Sequence, residues 1–384
     1  MNLRRIAAVA SKEWRETIRD RMFVLLAFLL PVSWMIVFGY GLVQDVENIP
    51  FAVLDRDHSA LSRDYLYRFF ESRYFSFQGY IPSENEADAL LQSGKIRVVI
   101  IIPEKLQERL LRGQSVSVQT LIDGTFPLRT DIVKGYVIAI NSAFSEQRLA
   151  DYFSRRRGIA VEQAEAQVRP IKLEVRYLYN EEVRSTWSMV PALVMFTLMV
   201  SSPLLTALGI VREKETGSIY NIYSSTVTRF EFLAGKLLPY VAISSVNALV
   251  LWIMATLWFR VPFKGSLPFF LAASVVFVLC STGIGLVVSL LVRTQIAALV
   301  ITMVASMLPT ILYSGLIVPV SSLSSGSQIQ AHLFPGMYYT NIVRGTFLKG
   351  VGLEVLWMDV LALAIYALIL RTVGYQLFTK RPRS

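Results

Sequence analysis

The chain has 384 residues, of which 54% are hydrophobic and 17% charged, and its formal net charge is +10. Soluble domains typically contain about 45–50% apolar and about 25% charged residues, so this composition indicates a membrane protein and argues against a soluble enzyme. The single cysteine, Cys280, excludes a disulfide framework and a cysteine-based metal site, and the two histidines, His58 and His332, lie in unrelated segments.

The excess positive charge lies beside apolar segments and is not spread along the chain. Residues 44–186 hold 19 basic and 20 acidic side chains, whereas the remainder holds 19 basic and only 8 acidic ones. Membrane proteins mark their cytoplasmic side in this way. We therefore expect membrane lipids among the partners and no nucleic acid, because the charge does not cover a soluble surface.

Residues 1–21 predict a cytoplasmic amphipathic helix that leads directly into the first membrane span. Apolar side chains recur at steps of three and four residues along one face: Leu3, Ile6, Ala7, Ala10, Trp14 and Ile18. A basic amphipathic helix before a span is typical of the membrane interface, so Arg4, Arg5 and Trp14 are the predicted interface residues. The alternative is a cytosolic helix that packs on its own protein.

Six segments have the roughly 20 mostly apolar residues that a membrane-spanning helix needs. They are 22–43, 187–211, 237–259, 267–292, 295–320 and 355–375, so that residues 187–384 carry transmembrane helices 2–6. With the N-terminus inside, the cytoplasmic segments hold 15 Lys and Arg residues and the short external loops hold 4. This bias predicts that both chain ends are cytoplasmic and that residues 44–186 lie outside.

Residues 44–186 are polar enough to form a separate extracytoplasmic domain. Segments rich in β-branched residues predict strands at 51–55, 97–102 and 117–123, and alternation predicts another at 172–180. Helical spacing is found at 59–70 and 83–92, residues 103–112 open with a proline after a strand, and a longer helix is expected at about 127–156. Strands that alternate with helices are typical of a mixed α/β domain.

The loop 212–236 is the densest polar stretch on the predicted cytoplasmic side. Gly217 is expected to end the preceding helix, and residues 218–223 could form a short helix of their own. A solvated connector is the simple interpretation, but a connector needs only a few residues. A loop of this length with apolar positions therefore favours a docking surface.

The external segment 321–354 contains one apolar part, 337–349, that is too short to span the membrane. It begins with Ser and Gly, and its later part, 337–349, predicts a re-entrant or interfacial helix with tyrosines at headgroup depth.

The chain has no motif for nucleotide hydrolysis or for other catalysis. Its two Gly-Lys pairs, at 94–95 and 235–236, lack both the preceding glycine and the following Ser or Thr of a phosphate-binding loop. Acidic residues inside the spans, which mark ion pathways, are missing apart from Asp359 near the edge of the last span. We therefore expect no enzyme activity and no bound cofactor, and we expect the energy for any uphill transport to come from another subunit.

Two stretches carry a family resemblance. Residues 212–239 read REKETGSIYNIYSSTVTRFEFLAGKLLP, and 333–350 read LFPGMYYTNIVRGTFLKG. With the order of spans and the large external domain, they resemble the ABC-2 family of ABC exporter permeases. The matching positions in the first stretch are Arg212, Glu213, Glu215, Gly217, Ser225, Gly235, Lys236 and Pro239. The chain departs from the family pattern at Ser218, Tyr220, Tyr223 and Thr226.

The resemblance implies a half-transporter that pairs with a second permease chain, identical or paralogous, around a substrate pathway. It also implies a separate ABC ATPase subunit that uses ATP and Mg²⁺ and is contacted through a coupling helix at about 216–224. The implied coupling residues are Glu213, Glu215, Gly217, Ile219, Tyr220 and Tyr223. The departures at Tyr220, Tyr223 and Thr226 bear on which ATPase surface fits.

Members with a large domain after the first span resemble permeases of Gram-negative multidrug efflux. That resemblance implies the inner membrane, a periplasmic location for 44–186, a membrane-fusion adaptor and an outer-membrane channel. An apolar pathway suits lipophilic or amphipathic cargo, either drug-like or lipid-like. The candidate pathway residues are Ser201, Ser202, Asn247, Thr302 and Ser306. Hydrogen bonding between helices is an equally open role for each of them.

Two other functions remain open. A membrane-anchored scaffold or sensor would bind a polymer or ligand through its external domain without ATP-driven transport, and it would not need the 212–236 loop. An intramembrane enzyme would need polar catalytic groups that converge inside the spans, and the sequence shows none.

Overall fold

The computed structural model describes residues 2–41, 46–168, 176, 178–218 and 226–378. The chain divides into two compact units, one formed by Met1–Val43 with Tyr177–Ser384 and the other by Gln44–Arg176. The first of these contains the long apolar helices and is named the membrane unit, and the other is named the second unit.

The membrane unit begins with two helices that share one capping residue. Helix α1 spans Leu3–Arg19, and helix α2 spans Arg21–Gly41. Asp20 lies between them with extended backbone, and its carboxylate accepts the Met22 amide at 2.9 Å. The chain therefore turns between the two helices while the Met22 amide in the first turn of α2 is capped. Residues Leu25–Leu29 of α2 are π-helical.

The second unit contains a four-stranded sheet in the order β2-β1-β3-β4. Strands β1 (Ile49–Asp55), β2 (Phe75–Tyr80) and β3 (Val98–Ile102) are parallel, and β4 (Gln119–Ile122) runs antiparallel to β3. All five residues of β3 are buried, as expected for an inner strand covered on both faces.

Five helices accompany the sheet. They are α3 (Ala60–Phe70), α4 (Glu84–Gln92), α5 (Leu106–Leu111), α6 (Pro127–Arg157) and α7 (Val161–Val168). The predicted strands at 51–55, 97–102 and 117–123 are found, and so are the predicted helices at 59–70, 83–92 and 127–156. Strand β2 and helix α7 were not predicted. Most of the predicted strand at 172–180 lies outside the described residues.

Four long helices follow in the membrane unit. They are α8 (Ser185–Glu215), α9 (Arg229–Trp258), α10 (Leu267–Leu291) and α11 (Gln295–Tyr313). Helix α9 begins eight residues before the predicted span at 237, because Thr228 and Glu231 form a capping box that extends it. Helix α11 ends before the predicted 320, since Gly315 adopts a left-handed conformation with φ of 79°.

The chain closes with two short helices and one long one. Helix α12 spans Ser325–His332, α13 spans Pro335–Arg344 and continues as a π-helical turn over Gly345–Lys349, and α14 spans Leu353–Leu377. Within the described residues, six helices are long and apolar enough to cross a membrane: α2, α8, α9, α10, α11 and α14. This confirms the six predicted spans in a mostly helical protein with a small mixed sheet.

Helix α8 lies at the centre of the membrane unit. Every residue from Met189 to Val211 is buried, and α8 contacts α2, α9, α10, α11 and α13. Its approach to α10 is close because Gly285 has no Cβ that would collide with the Pro203 carbonyl. Short helix α13 packs on α10, where the Tyr339 ring stacks on Phe277 at 4.0 Å and its hydroxyl bonds Ser274.

Candidate functional site

One end of the membrane unit gathers charged side chains from α1, α8 and α9. We name this cluster the ionic hub and define it by the following residues: Lys12, Glu13, Asp20, Arg212, Glu213, Lys214, Glu215 and Lys236. Its buried members are Glu13, Glu213 and Lys236, each no more than 5% exposed. Buried charges are costly unless they are paired, so their contacts must be accounted for one by one.

A glycine–lysine pair on α9 holds α1 in place. At Gly235, a Cβ atom would lie 2.7 Å from the Val9 Cβ and 2.8 Å from the Ile6 carbonyl oxygen, so only glycine lets α1 approach this closely. At the next residue, the Lys236 ammonium donates to Glu13 Oε2 at 2.5 Å. Gly235 thus sets the distance between α1 and α9, and Lys236 forms an ion pair that requires this short distance.

Glu13 and Glu213 share the Lys236 ammonium. Lys236 Nζ lies 3.1 Å from Glu213 Oε1, and Lys12 Nζ approaches the same oxygen to 2.8 Å. Tyr240 donates its hydroxyl to Glu13. Burial raises the pKa of Glu13 against the opposing effect of Lys236. Burial lowers the pKa of Lys12, but the carboxylates of Glu213, Glu16 and Glu13 together more than offset this effect, and the net shift of the pKa is upward.

The last turn of α8 contacts a different partner helix at each of four consecutive residues. Arg212 pairs with Asp20 at the junction of α1 and α2, and its guanidinium lies 5.5 Å from the Phe23 ring centre. Glu213 pairs with Lys12 of α1 and Lys236 of α9. These two residues therefore join the end of α8 to α1, α2 and α9.

The next two residues bind the facing ends of α10 and α11. The Lys214 ammonium donates to the Ser289 carbonyl at 2.5 Å near the C-terminus of α10. Glu215 Oε2 accepts the Gln295 amide at 3.1 Å at the N-terminus of α11. Each charge has the sign that the helix dipole favours, with the cation at a C-terminus and the anion at an N-terminus.

Gly217 ends α8, as the sequence predicts for this position. Its φ of 75° is left-handed, and its amide donates to the Lys214 carbonyl at 3.3 Å. The chain thus turns away immediately after the residues that bind the other helices. The predicted coupling residues Ile219, Tyr220 and Tyr223 lie outside the described residues.

The start of α1 is fixed to the start of α9 by a second set of contacts. The Asn2 amide donates to Glu231 Oε1 at 2.7 Å, and the Arg5 guanidinium donates to the Thr226 carbonyl at 2.9 Å. Arg5, predicted as an interface residue, therefore binds α9 and the residues before it. Arg4 remains exposed.

Helix α1 buries a polar edge and leaves its apolar stripe exposed. Its fully buried residues are Glu13 and Thr17, which belong to neither the apolar stripe nor the set of predicted interface residues. Leu3, Trp14 and Ile18 of the stripe are 71%, 41% and 53% exposed. One face of α1 thus packs on the protein and another stays free, while its position in the membrane interface remains a prediction.

The candidate pathway residues are all buried within the unit. Asn247 donates to the Ala27 carbonyl at 2.7 Å in the π-helical segment of α2, and Ser306 donates to the Thr302 carbonyl at 2.6 Å. The hydroxyls of Ser201, Ser202 and Thr302 have no hydrogen-bond partner in the described parts of the chain. These three hydroxyls are the predicted pathway residues that still have hydrogen-bonding capacity.

A group of carboxylates in the hub has the spacing of a cation site. Oxygens of Glu13, Glu16 and Glu213 lie within 4.8 Å of one another. Between them, the ammonium groups of Lys12 and Lys236 contact all three of these carboxylates, since Lys12 Nζ also lies 3.7 Å from Glu16 Oε1. A metal ion there would face these two positive charges, so the site fits a singly charged group better than a divalent cation.

The sequence indicated only part of the hub. Lys12, Glu13, Lys214 and Tyr240 were not predicted as functional residues. One available signal was Lys236, a charged residue at the start of a long apolar segment, because such a residue needs a partner. Glu13 gave no signal, since one acidic residue among several charges on an amphipathic helix is ordinary.

Comparison with known proteins agrees with the resemblance. A family model described as ABC-2 family transporter protein matches residues 21–375. The probable multidrug ABC transporter permease YbhS of Escherichia coli K12 is 28% identical over 370 residues, covering 96% of this chain and 95% of its own.

Two further relatives extend the comparison. The probable multidrug ABC transporter permease YbhR of the same strain is 23% identical, covering 98% of this chain and 99% of its own. The ABC transporter G family member 20 of Dictyostelium discoideum is 24% identical over 90% of this chain, but the match covers only 46% of that longer protein. The chain is a multi-pass membrane protein that belongs to the ABC-2 family of transporter proteins.

Proposed function

We propose that this chain is the transmembrane permease subunit of an ABC-2 exporter and is driven by a separate ATPase that binds ATP and Mg²⁺. The observation that carries the proposal is the set of four consecutive residues, 212–215, that bind the ends of α1, α2, α9, α10 and α11. A displacement of this turn of α8 acts on five other helices at once. Such an arrangement suits a protein whose membrane helices are moved from one end.

We assign different tasks to the two parts of the coupling loop. Glu213 and Glu215 are bound to helix ends, so their task is to pass on motion and not to contact the ATPase. Gly217 provides the turn that leads into residues 219–225. We propose that Ile219, Tyr220 and Tyr223 enter the groove of the ATPase, in agreement with the coupling helix that the resemblance implies.

Two permease chains, identical or paralogous, would enclose the substrate pathway. The cargo is proposed to be lipophilic or amphipathic, since the described membrane helices offer hydroxyls and few charges. Ser201, Ser202 and Thr302 remain the candidates for polar contacts with it, because their hydroxyls have no partner in the described residues. Asn247 and Ser306 are bonded within the unit and are weaker candidates.

The proposed location is a bacterial inner membrane. The bias of Lys and Arg between the loops supports cytoplasmic chain ends and a periplasmic domain between α2 and α8. This domain is proposed to meet a membrane-fusion adaptor, and through it an outer-membrane channel. The exposed apolar stripe of α1 supports an interfacial position for that helix, with Trp14 at headgroup depth.

The decisive experiment extracts the chain from its native membrane in mild detergent and identifies the proteins that accompany it. We expect a P-loop ATPase with the wild type and with the surface control Glu162→Ala. We expect its loss with Glu215→Ala/Gly217→Leu and with Tyr220→Ala/Tyr223→Ala. Absence of an ATPase under several gentle conditions would contradict the proposal and favour the scaffold or sensor.

A second variant separates contact from transmission. Glu213→Gln keeps residues 219–225 unchanged but weakens the ion pairs with Lys12 and Lys236. We expect this variant to retain the ATPase on purification and to lose stimulation of ATP hydrolysis by cargo. Loss of ATPase binding in Glu213→Gln, with the thermal stability unchanged, would show that Glu213 itself belongs to the docking surface.

A further inference from the structure

A charged cavity of about 710 Å³ lies between α1, the start of α2 and the end of α8. Its basic lining residues are Arg19, Arg21, Arg212 and Lys236, and its acidic ones are Glu13, Glu16, Asp20 and Glu213. The lining thus contains equal numbers of positive and negative side chains. A ligand that complements it should carry both charges.

The cavity lies at the level where membrane helices leave the hydrocarbon. Arg21 is the first residue of α2 and Arg212 lies in the last turn of α8, and both helices are long and apolar enough to span. Phe23 of α2 and Gly209 of α8 line the side of the cavity that lies towards the middle of these two helices. Charged side chains at this depth face the phospholipid headgroups.

The lining contains polar groups whose bonding capacity is not used within the described chain. The Glu213 side chain is 7% exposed, yet its Oε2 has no hydrogen-bond partner among the described residues. Such a buried acceptor is costly to leave unpaired. Arg19 and Arg21 likewise have no ion pair in that part of the protein, whereas Arg212 has Asp20.

We propose that this cavity binds a phospholipid headgroup that carries a phosphate and a primary ammonium, as in an aminoethyl phosphate. The guanidinium groups of Arg19 and Arg21 suit the phosphate, because a guanidinium fork donates two parallel hydrogen bonds to it. Lys12 and Lys236 bind the Oε1 atom of Glu213, and Lys12 lies 3.7 Å from Glu16. The ammonium of the headgroup suits the remaining oxygen, Glu213 Oε2, together with Glu16, since it adds a single charge and donates three hydrogen bonds. This proposal requires a chain that spans a bilayer and does not depend on transport.

The chemistry disfavours choline headgroups and anionic headgroups without an amine. A trimethylammonium group has no N–H and leaves the Glu213 oxygen unpaired. An anionic headgroup without an amine satisfies the arginines but places negative charge beside the acidic residues. A membrane lipid is favoured over a soluble amino phosphate because Met22 and Leu25, just beyond the cavity on α2, are 64% and 47% exposed and offer an apolar surface to acyl chains.

The test measures lipid binding to the purified full-length chain by native mass spectrometry. Phosphatidylethanolamine, phosphatidylcholine and phosphatidylglycerol of identical acyl composition are titrated into the same detergent. We expect phosphatidylethanolamine to bind about tenfold more tightly than the others, the difference that one charge-assisted hydrogen bond makes. Equal binding of all three lipids would overturn the proposal.

Variants then locate the site. Arg19→Gln/Arg21→Gln should weaken binding of phosphatidylethanolamine about tenfold, and Glu16→Gln should reduce its advantage over phosphatidylcholine. The matched control is Arg15→Gln, because Arg15 is exposed on the same helix and does not line the cavity. An equal loss in Arg15→Gln would indicate general charge attraction and contradict the assigned cavity.

Two competition arms distinguish the sources of the ligand. Soluble O-phosphoethanolamine should fail to displace the lipid at equal concentration, and displacement by it would assign the cavity to a soluble amino phosphate instead. Mg²⁺ should not displace the lipid, and displacement that EDTA reverses would assign the carboxylates to a cation. Neither readout involves the ATPase, so failure here and failure of the proposed transport function are distinguishable.

Discussion

Helix α8 buries polar side chains in two regions, and the two regions bond them differently. In the middle, the hydroxyls of Thr197, Ser201 and Ser202 are buried without a hydrogen-bond partner in the described chain. In the last turn, residues 212–215 each bind a different set of partners. An unpaired hydroxyl costs about 1–3 kcal/mol, whereas an unpaired buried charge costs about 3–5 kcal/mol. Ion pairs and hydrogen bonds therefore hold the charged end of α8 in one arrangement. The unpaired hydroxyls do not hold the middle of α8 in this way.

Removing the Lys236 ammonium, which Glu13 and Glu213 share, should have the largest effect on stability. Lys236→Met leaves Glu13 without its ion pair and removes one of the two lysines that bind Glu213. We expect the free energy of unfolding to fall by about 3–5 kcal/mol, because a buried charge loses its partner. Thermal unfolding in detergent measures it, with the exposed Lys134→Met as the control.

The double variant Lys236→Met/Glu13→Met tests the cause of that loss. It removes both charges, so most of the stability should return. If the double variant is as unstable as Lys236→Met alone, the loss comes from altered packing and not from the unpaired carboxylate.

A larger side chain at position 235, between α1 and α9, should destabilise the charged end of the bundle without removing any charge. Gly235→Ala places a Cβ 2.8 Å from the Ile6 carbonyl, so the helices must separate. We expect a loss of about 1–3 kcal/mol, as for other overpacked contacts. The control Gly326→Ala lies in α12 with open space around it, and alanine there should be neutral or stabilising by up to about 1 kcal/mol. Equal unfolding temperatures for the two variants would mean that α1 does not pack closely against α9.

The middle of α8 should tolerate the loss of its hydroxyls. Ser201→Ala and Ser202→Ala each remove a buried donor that has no partner in the described residues. We therefore expect the free energy of unfolding to stay unchanged or to rise by up to about 1–3 kcal/mol, because each alanine removes an unpaired hydroxyl. Transport assays should still respond if these residues face the pathway, which separates a functional from a packing role. A large loss of stability would instead reveal a bond that forms in the assembled transporter.

An ion pair in the second unit provides a reference with little burial. Hydrogen bonds from Thr125, together with Arg97, lower the pKa of Asp123 to about 2. Its pKa in the unfolded chain is about 3.9, so its stabilising effect is present above about pH 4 and is lost as the pH falls towards 2. Asp123→Asn should thus make residues 119–126 more susceptible to proteolysis at pH 6, and the difference should shrink at pH 3. Asp131→Asn is the control, and a difference independent of pH would contradict the assignment.

The sequence allowed the six spans to be predicted because each needs a long apolar run, whatever its neighbours are. It misplaced the start of α9, since Thr228 and Glu231 extend the helix into polar sequence. Strand β2 was missed because its FSFQGY segment is short and contains Gly79. The ion pair of Glu13 and Lys236 could not be predicted, since 223 positions separate the two residues.

That separation has a consequence for how the chain is made. During synthesis, Glu13 leaves the ribosome long before Lys236, with the whole of the second unit between them. Before α9 has been synthesised, neither Glu13 nor Glu213 can pair with the Lys236 ammonium. Water must therefore solvate both carboxylates until then. The packing of α1 against α9 is therefore a late step of biogenesis that joins distant parts of the chain. A nascent chain released before residue 236 can insert its first two spans but cannot close the charged end of the bundle.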